Sequence, residues 1–171
     1  IEAWDEVLKQ ADAIEQKDPG HMAALYLRGA ALHGTGQSKE AHEVLTRVLA
    51  LGQPTPELYK VNGDVLARLD RLEEAEKAYR TALTLKPKYG DALVGLGGLL
   101  LRRDKREEAA RMVLQAKEMD PGSVRVRLAL ATVRAAEGKT AEAIKELTDL
   151  PRQSWTPRVA LALGELYVRA E

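Results

Sequence analysis

A tandem repeat with a nearly constant period runs through this sequence and constrains its fold more than any other feature. A small residue recurs at steps of 34, 34, 34 and 33, at Gly29, Gly63, Gly97, Ala131 and Gly164. A second small residue recurs with the same period, at Ala41, Ala75, Ala109 and Ala143. Prolines fall on the same lattice, at Pro19, Pro87 and Pro121. Because three series share one period, we predict a stack of similar structural units.

Each period contains two stretches with the spacing of an amphipathic helix. In the unit that covers residues 56–89, the first stretch places Tyr59, Gly63 and Leu66 three or four residues apart. After a break at residues 68–71, the second stretch places four residues on one face, which are Ala75, Ala78, Tyr79 and Ala82. Pro87 then ends the second helix, because proline has no N–H to donate. The pattern predicts antiparallel helical hairpins whose small residues allow close packing.

The repeat resembles the tetratricopeptide repeat, through Tyr59, Gly63, Ala75, Tyr79, Ala82 and Pro87 and through Leu96-Gly97 and Leu163-Gly164-Tyr167. The resemblance covers essentially the whole chain and implies an all-α, right-handed superhelical solenoid of antiparallel helix pairs. In this register the chain is a single array with four full repeats, at residues 22–55, 56–89, 90–123 and 124–156. Residues 1–21 form the second helix of a partial repeat, and residues 157–171 form the first helix of another. Arg127 and Arg134 replace large packing residues, so the 124–156 hairpin is expected to be the least tightly packed.

The composition excludes several classes of function. With 26 basic and 26 acidic residues the chain lacks the basic excess of a nucleic-acid binder, so we expect no nucleic-acid partner. No apolar run approaches the roughly 20 residues that cross a bilayer, so we expect no direct membrane insertion. The sequence contains no cysteine and starts at Ile1, which indicates a processed product or an excised piece of a protein. A cytoplasmic or periplasmic location stays open, and the Ala-, Leu- and Arg-rich composition favours a bacterial source.

The sequence contains no arrangement that predicts catalysis, and we expect no catalytic residues, no bound metal and no cofactor. The three histidines, His21, His33 and His42, lack the spacing of metal ligands on one helix face and are predicted to lie at the surface. The stretch from Gly95 to Gly98 lacks the strand and the lysine of a phosphate-binding loop. Gly97 is explained by hairpin packing. Gly95 and Gly98 indicate either a hollow beside the backbone or neutral drift.

The resemblance also implies a partner-binding groove lined by the first helix of each hairpin. Carried over position by position, the candidate groove residues are Tyr26, His33, Lys60, Asp64, Arg68, Asp91, Val94, Gly98, Leu101, Arg102, Arg125, Leu128, Arg158, Glu165 and Arg169. The family's clamp for chaperone C-termini is not reproduced, because Lys60 stands next to Asp64 where an Asn is expected. Acidic residues in the first half of this set give way to arginines in the second. Such a groove suits an amphipathic helix or an extended segment whose acidic end lies on the C-terminal repeats, unless the charges serve only solubility.

Three functions follow as hypotheses. The first is a scaffold that binds a protein or peptide segment in the groove. The second is a structural segment of a longer array, for example in a bacterial envelope or exopolysaccharide-export protein. End-to-end self-association through residues 1–18 and 157–170 would use the apolar residues of the first and last helices, which are Val7, Leu8, Ala11, Ile14, Leu161, Leu163, Leu166 and Val168. The third is the regulatory repeat region of an enzyme whose catalytic domain lies elsewhere.

Overall fold

The computed structural model describes residues 2–52 and 55–170, and within these ranges it contains α-helices and no strands. In chain order the helices are α1 Glu2–Glu15, α2 Met22–Gly34, α3 Ser38–Ala50, α4 Pro56–Arg68, α5 Leu72–Leu85, α6 Gly90–Arg102, α7 Arg106–Met119, α8 Val124–Ala136, α9 Thr140–Thr148 and α10 Pro157–Ala170. A short 3₁₀ helix, Arg152–Ser154, precedes α10. The prediction of an all-α fold of helical hairpins is confirmed.

The helices belong to two compact units, residues 1–87 and residues 88–171. In the first unit, α2 pairs with α3 and α4 pairs with α5, while α1 packs on α2. Its core contains Leu25, Leu45, Val48, Leu58 and Val65. In the second unit, α6 pairs with α7 and α8 pairs with α9, and α10 packs on α9 and α8. A core around Ala131, Leu147, Leu150, Val159 and Leu163 holds the last three helices together.

Small residues let the two helices of a hairpin approach closely. A methyl group on Gly29 would come within 2.6 Å of Leu45, one on Gly63 within 2.9 Å of Tyr79, and one on Gly97 within 2.5 Å of Val113. If the glycine is position i, the contacted side chain is position i+16 in all three hairpins. The large side chain of the second helix therefore fills the space that the glycine leaves, and a larger residue there would force the helices apart.

The turn inside each hairpin recurs with the period of the sequence repeat. In each of these turns one residue adopts a positive φ, namely Gly36 (89°), Asp70 (62°), Asp104 (57°) and Gly138 (79°). The next N–H donates to a carbonyl five residues earlier, for example from Arg71 to Leu66 at 3.0 Å and from Lys105 to Leu100 at 2.9 Å. This left-handed closure is the Schellman motif, which satisfies carbonyls at the end of a helix. It fixes where each first helix ends.

The arginines of the last hairpin form ion pairs in place of apolar packing. The Arg127 guanidinium lies 2.6 Å from the Glu146 carboxylate, and Arg134 lies 3.0 Å from Glu137 and 3.3 Å from Glu142. With nine residues, α9 is also shorter than the fourteen-residue α5 and α7. The aliphatic stems of the arginines therefore cover the hairpin while their charges meet acids.

Candidate binding surfaces

The second unit contains an open cavity of about 490 Å³ between helices α6, α8 and α10. Its lining is mostly apolar, and comprises Leu101, Arg102, Leu128, Ala131, Thr132, Ala135, Ala136, Ala162, Glu165, Leu166 and Arg169. Five of these residues were predicted for the groove, namely Leu101, Arg102, Leu128, Glu165 and Arg169. The alanines and Leu166 were not, because their contribution depends on how α8 and α10 are placed. We call this cavity the α8 pocket.

Charged side chains surround the apolar floor of the α8 pocket. Arg102 ends α6, and Arg169 lies in the last turn of α10, where its Nη1 is 3.5 Å from the Ala135 carbonyl oxygen. Glu165 is exposed one turn before Arg169. The side chains of Arg102, Arg169 and Glu165 therefore place two guanidinium groups and one carboxylate around an apolar floor.

The other candidate residues of this unit lie outside the pocket lining. Arg125 forms an ion pair with Asp91, at 2.5 Å, and both side chains are about half exposed. Such an exposed pair contributes on the order of 0–1 kcal/mol, so a ligand could exchange it at low cost. Arg158 is exposed at the start of α10, and Val94 is half-buried. Gly98 is exposed, and a Cβ there would meet nothing within 4 Å, which gives an open surface beside the helix backbone.

In the first unit the candidate residues form a polar network centred on the Asp64 carboxylate. One oxygen accepts a hydrogen bond from Lys60 Nζ at 2.6 Å, and the other accepts one from the Tyr79 hydroxyl at 2.7 Å. His33 Nε2 lies 3.9 Å from the same carboxylate. Lys60, Asp64 and His33 expose less than a fifth of their side chains. The charge of Lys60 is therefore already balanced by Asp64. Tyr79 was not among the predicted site residues, because it lies on the second helix of its hairpin.

The prediction that the histidines lie at the surface is wrong for His33. Its imidazole is mostly buried, and Nδ1 has no hydrogen-bond partner. Burial lowers the pKa of His33, and the charges of Arg68 and Lys60 lower it further against the opposing effect of Asp64. Arg68 also holds the end of α2, since its Nη1 donates to the His33 carbonyl at 2.7 Å. The prediction failed because the fold packs the His33 side chain of α2 against Asp64 of α4, and a periodic sequence pattern does not show which helix covers a residue.

Tyr26 lines a smaller apolar cavity of about 240 Å³ in the first unit. The other lining residues are Met22, Ala23, Val48, Thr55 and Leu58. Burial raises the pKa of the Tyr26 hydroxyl, and the carboxylates of Glu57 and Asp64 raise it further. Tyr26 therefore keeps its proton and can donate a hydrogen bond.

The two terminal helices agree only in part with the sequence prediction, which also placed Leu161 and Val168 on an open face of α10. Leu163 and Leu166 were assigned to an open face of α10, but they are only 5% and 7% exposed because they pack into the core. The exposed apolar residues of α10 are Leu161, Tyr167 and Val168, at 65%, 53% and 74%. On α1, Leu8 packs against the core of the first unit, while most exposed positions are polar.

Antiparallel helix pairs, joined by recurring left-handed turns and packed through a small residue once per repeat, define a helical-hairpin repeat protein. The tetratricopeptide repeat model matches residues 34–90, 60–124 and 94–157. The chain belongs to the tetratricopeptide repeat family. Folds of this family are typically non-catalytic scaffolds.

Relatives and solved structures are similar to this chain over different extents. Cellulose synthase operon protein C of Komagataeibacter xylinus is 38% identical in an alignment 95 residues long, which covers 48% of this chain and 7% of that protein. Human protein O-mannosyl-transferase TMTC3 is 33% identical over 82 residues, covering 48% of this chain and 9% of that protein. This chain thus corresponds to a small part of each.

Among solved structures, the thermophilic tetratricopeptide repeat protein TTC0263 of Thermus thermophilus superposes with a TM-score of 0.85. It is 19% identical, and the superposition covers 96% of this chain and 91% of that one. YrrB, a tetratricopeptide repeat protein with an unusual peptide-binding site, gives a TM-score of 0.69 at 19% identity, covering 99% and 84%. These likenesses show the fold.

Two further features concern membranes and metals. None of the described helices is both long and apolar enough to cross a membrane. Within the same residues, no cluster of three or more histidine, aspartate or glutamate side chains could hold a metal ion.

Proposed function

We propose that this chain is a protein-interaction module whose α8 pocket binds an apolar side chain of a partner segment with acidic neighbours. The observation that supports this proposal is the apolar floor of Leu101, Leu128 and Ala162 beneath a rim that carries Arg102 and Arg169. An apolar anchor would displace water from the floor, at roughly 25 cal/mol per Å² of buried apolar area. The arginines would select acidic neighbours and accelerate the encounter.

The charge of the whole second unit agrees with this choice of partner. Residues 88–171 contain 15 basic and 12 acidic side chains, whereas residues 1–87 contain 11 basic and 14 acidic side chains. An acidic segment is therefore attracted to the second unit over a longer range than the pocket itself, and more strongly at low salt.

We expect the first unit to contribute to partner binding through its shape more than through its charged side chains. Lys60 is held by Asp64, and Asp64 is also held by Tyr79. A ligand carboxylate would have to break this network before it could bind Lys60. A clamp for a C-terminal carboxylate, such as co-chaperones use, is therefore disfavoured at this position.

The test uses three fluorescein-labelled peptides of equal length that share one central leucine. The residues that flank the leucine are glutamates in the first peptide, glutamines in the second and lysines in the third. Fluorescence anisotropy should show that the glutamate peptide binds most tightly. Leu128→Lys should abolish this binding and Arg169→Glu should weaken it several-fold. Leu85→Lys, at a 49% exposed apolar residue outside the pocket, should leave it unchanged. Equal binding of all three peptides, or equal effects of the three variants, would refute the proposal.

Self-association is a second candidate function, supported by the exposed apolar residues of α10. It corresponds to a structural role in a longer assembly. Cellulose synthase operon protein C is a relative whose name connects it to polysaccharide synthesis, and a similar envelope-associated setting is compatible with this role. TMTC3 is named as a transferase. The third candidate function is therefore a regulatory repeat region beside the catalytic domain of an enzyme.

A further inference from the structure

An arginine recurs near the end of the first helices of the hairpins but is replaced in α8. On the repeat lattice, Arg68 of α4, Arg102 of α6 and Arg169 of α10 are equivalent. The equivalent residue of α8 is Ala136. Ala136 lines the α8 pocket together with Arg102 and Arg169. The α8 pocket therefore lies where the row of arginines is interrupted.

The first unit shows what an arginine does at this position. The Nη1 of Arg68, in α4, donates to the His33 carbonyl at the end of α2, at 2.7 Å. In the second unit the Nη1 of Arg169 lies 3.5 Å from the Ala135 carbonyl oxygen of α8, and Ala135 is equivalent to His33 on the lattice. An arginine at this position thus reaches a carbonyl of the preceding first helix, and its aliphatic stem covers the surface between them.

For α8 the corresponding carbonyl belongs to Leu101 of α6, which also lines the α8 pocket. This oxygen accepts a hydrogen bond from the Asp104 N–H at 3.0 Å, and its second lone pair can accept another. Because the side chain of Ala136 is a methyl group, it cannot supply that donor. The replacement of arginine by alanine therefore leaves an apolar space with a carbonyl acceptor at its end.

We infer that the α8 pocket binds a tryptophan side chain of the partner segment, with the indole Nε1–H donating to the Leu101 carbonyl. This inference rests on the proposed function and names the anchor residue of the partner. Ala136 is then the residue that determines specificity, because it opens the space that an arginine fills at the equivalent positions.

The volume of the α8 pocket favours an aromatic anchor over an aliphatic one. At about 30 Å³ per water molecule, a cavity of about 490 Å³ has room for roughly 16 waters. A leucine side chain has four heavy atoms and would leave most of this space to water, whereas a tryptophan side chain has ten. Tryptophan therefore buries more apolar surface on the floor that contains Leu128, Ala131 and Ala162.

The charges beside the α8 pocket favour a neutral donor over a second guanidinium group. A partner's arginine could reach the same carbonyl, but its charge would be repelled by the guanidinium of Arg169 beside Ala135. The indole N–H donates without carrying a charge, and the indole ring attracts a guanidinium that lies over its face. Glu165 also lines the pocket and would attract a cation, so the test below includes an arginine peptide.

The two tryptophans of this chain already show the two contacts that the inference requires. In α2 the equivalent of Ala136 is Gly34, and a Cβ on Gly34 would come within 2.6 Å of the Trp4 ring. Trp155 donates from its Nε1 to the Leu150 carbonyl at 3.1 Å. One indole thus packs against a small residue at this lattice position, and the other bonds to a backbone carbonyl. The α8 pocket offers both contacts to a single ring.

The first experiment uses fluorescence anisotropy with the glutamate-flanked peptide described above and four different central residues. These are leucine, tryptophan, 1-methyltryptophan and arginine. We expect tryptophan to bind at least about ten-fold more tightly than leucine, because it buries more apolar surface. 1-Methyltryptophan keeps the ring but lacks the N–H donor, and it should bind about three- to ten-fold more weakly than tryptophan.

Each other outcome of this experiment contradicts a different statement. Equal binding of leucine and tryptophan, with both lost in Leu128→Lys, would overturn this inference and leave the proposed function intact. Equal binding of tryptophan and 1-methyltryptophan would overturn the hydrogen bond to Leu101. Tightest binding of the arginine peptide would assign the pocket to a cationic side chain. Absence of binding by all four peptides would overturn the proposed function as well.

The second experiment restores the row of arginines with Ala136→Arg. Because arginine occupies the equivalent positions, helix content should be unchanged by circular dichroism. The new side chain should fill the pocket and weaken binding of the tryptophan peptide by at least about ten-fold. Ala136→Leu fills the same space without a charge and should also weaken binding. Ala50→Arg, at an exposed alanine of α3, is the matched control and should bind like the parent. Unchanged binding in both variants at position 136 would overturn the assignment to this residue.

Discussion

Gly97 on α6 lies directly against Val113 on α7, so closely that a Cβ on the glycine would come within 2.5 Å of the valine Cγ2. The next residue, Gly98, faces open space. Two adjacent glycines of one helix therefore differ completely in what a side chain would meet.

The first prediction concerns this pair of glycines. Gly97→Ala should lower the free energy of unfolding by about 1–3 kcal/mol, since the added methyl overpacks the hairpin. Gly98→Ala should raise it by about 0.5–1 kcal/mol, because alanine is the better helix former and nothing opposes its methyl group. Urea unfolding followed by circular dichroism measures both. Equal effects of the two substitutions would contradict the packing described for α6 and α7.

The second prediction separates the buried from the exposed apolar residues of α10. Leu166→Lys should destabilise the chain by several kcal/mol or unfold it, because the ammonium group would enter the core that contains Val159 and Leu163. Leu161→Lys should change the stability of the monomer by less than about 0.5 kcal/mol, as is usual for surface substitutions. Thermal unfolding at low protein concentration measures both variants. If Leu161→Lys proved equally damaging, α10 would be rotated from the position described above.

The third prediction is a pH dependence that arises from Glu146. Partial burial acts to raise its pKa, but hydrogen bonds and charges of Lys117 and Arg127 outweigh burial and lower it. The Lys117 and Arg127 nitrogens lie 2.7 Å and 2.6 Å from its carboxylate oxygens. Because the pKa is lowered in the folded state, this stabilisation is fully present above the ordinary glutamate pKa and is lost as pH falls through the folded pKa.

Glu146→Gln should therefore be less stable than the parent at pH 7, by about 1–3 kcal/mol, and the difference should shrink as the pH falls below about 4.5. Urea unfolding at several pH values measures the difference. The exposed Glu118→Gln serves as the control and should show little difference at any of them. A stability difference between the parent and Glu146→Gln that grows as the pH falls would contradict this prediction.

The fourth prediction concerns the buried imidazole of His33. Its pKa is lowered, so the folded chain binds this proton less readily than the unfolded chain. The stabilisation from keeping His33 neutral is complete above the ordinary histidine pKa of about 6.5, and stability falls as pH decreases from there. Removing the titrating group with His33→Gln should flatten the stability profile between about pH 7.5 and 5.5. A flat parent profile would rule out this role for His33.

How much could be predicted from the sequence depended on the kind of residue. Glycines and alanines on the repeat lattice predicted the hairpins, because close helix packing permits few residue types at those positions. Leu101, Leu128 and Arg169, which the repeat register assigned to one surface, line the α8 pocket together. His33 and Leu166 were misplaced, since periodicity shows which residues share a face but not which neighbouring helix covers that face.

The sequence by itself determined the all-α class, the pairing of helices within a hairpin and the small residue at each crossing. Local spacing, helix breakers and the size of one side chain are sufficient for these features. Only the tertiary structure decided that Asp64 is bonded to Tyr79, that Glu146 joins α7, α8 and α9, and that a side chain at Gly98 would meet nothing within 4 Å. Each of these depends on the relative positions of several helices, and those positions result from packing between residues far apart in the chain.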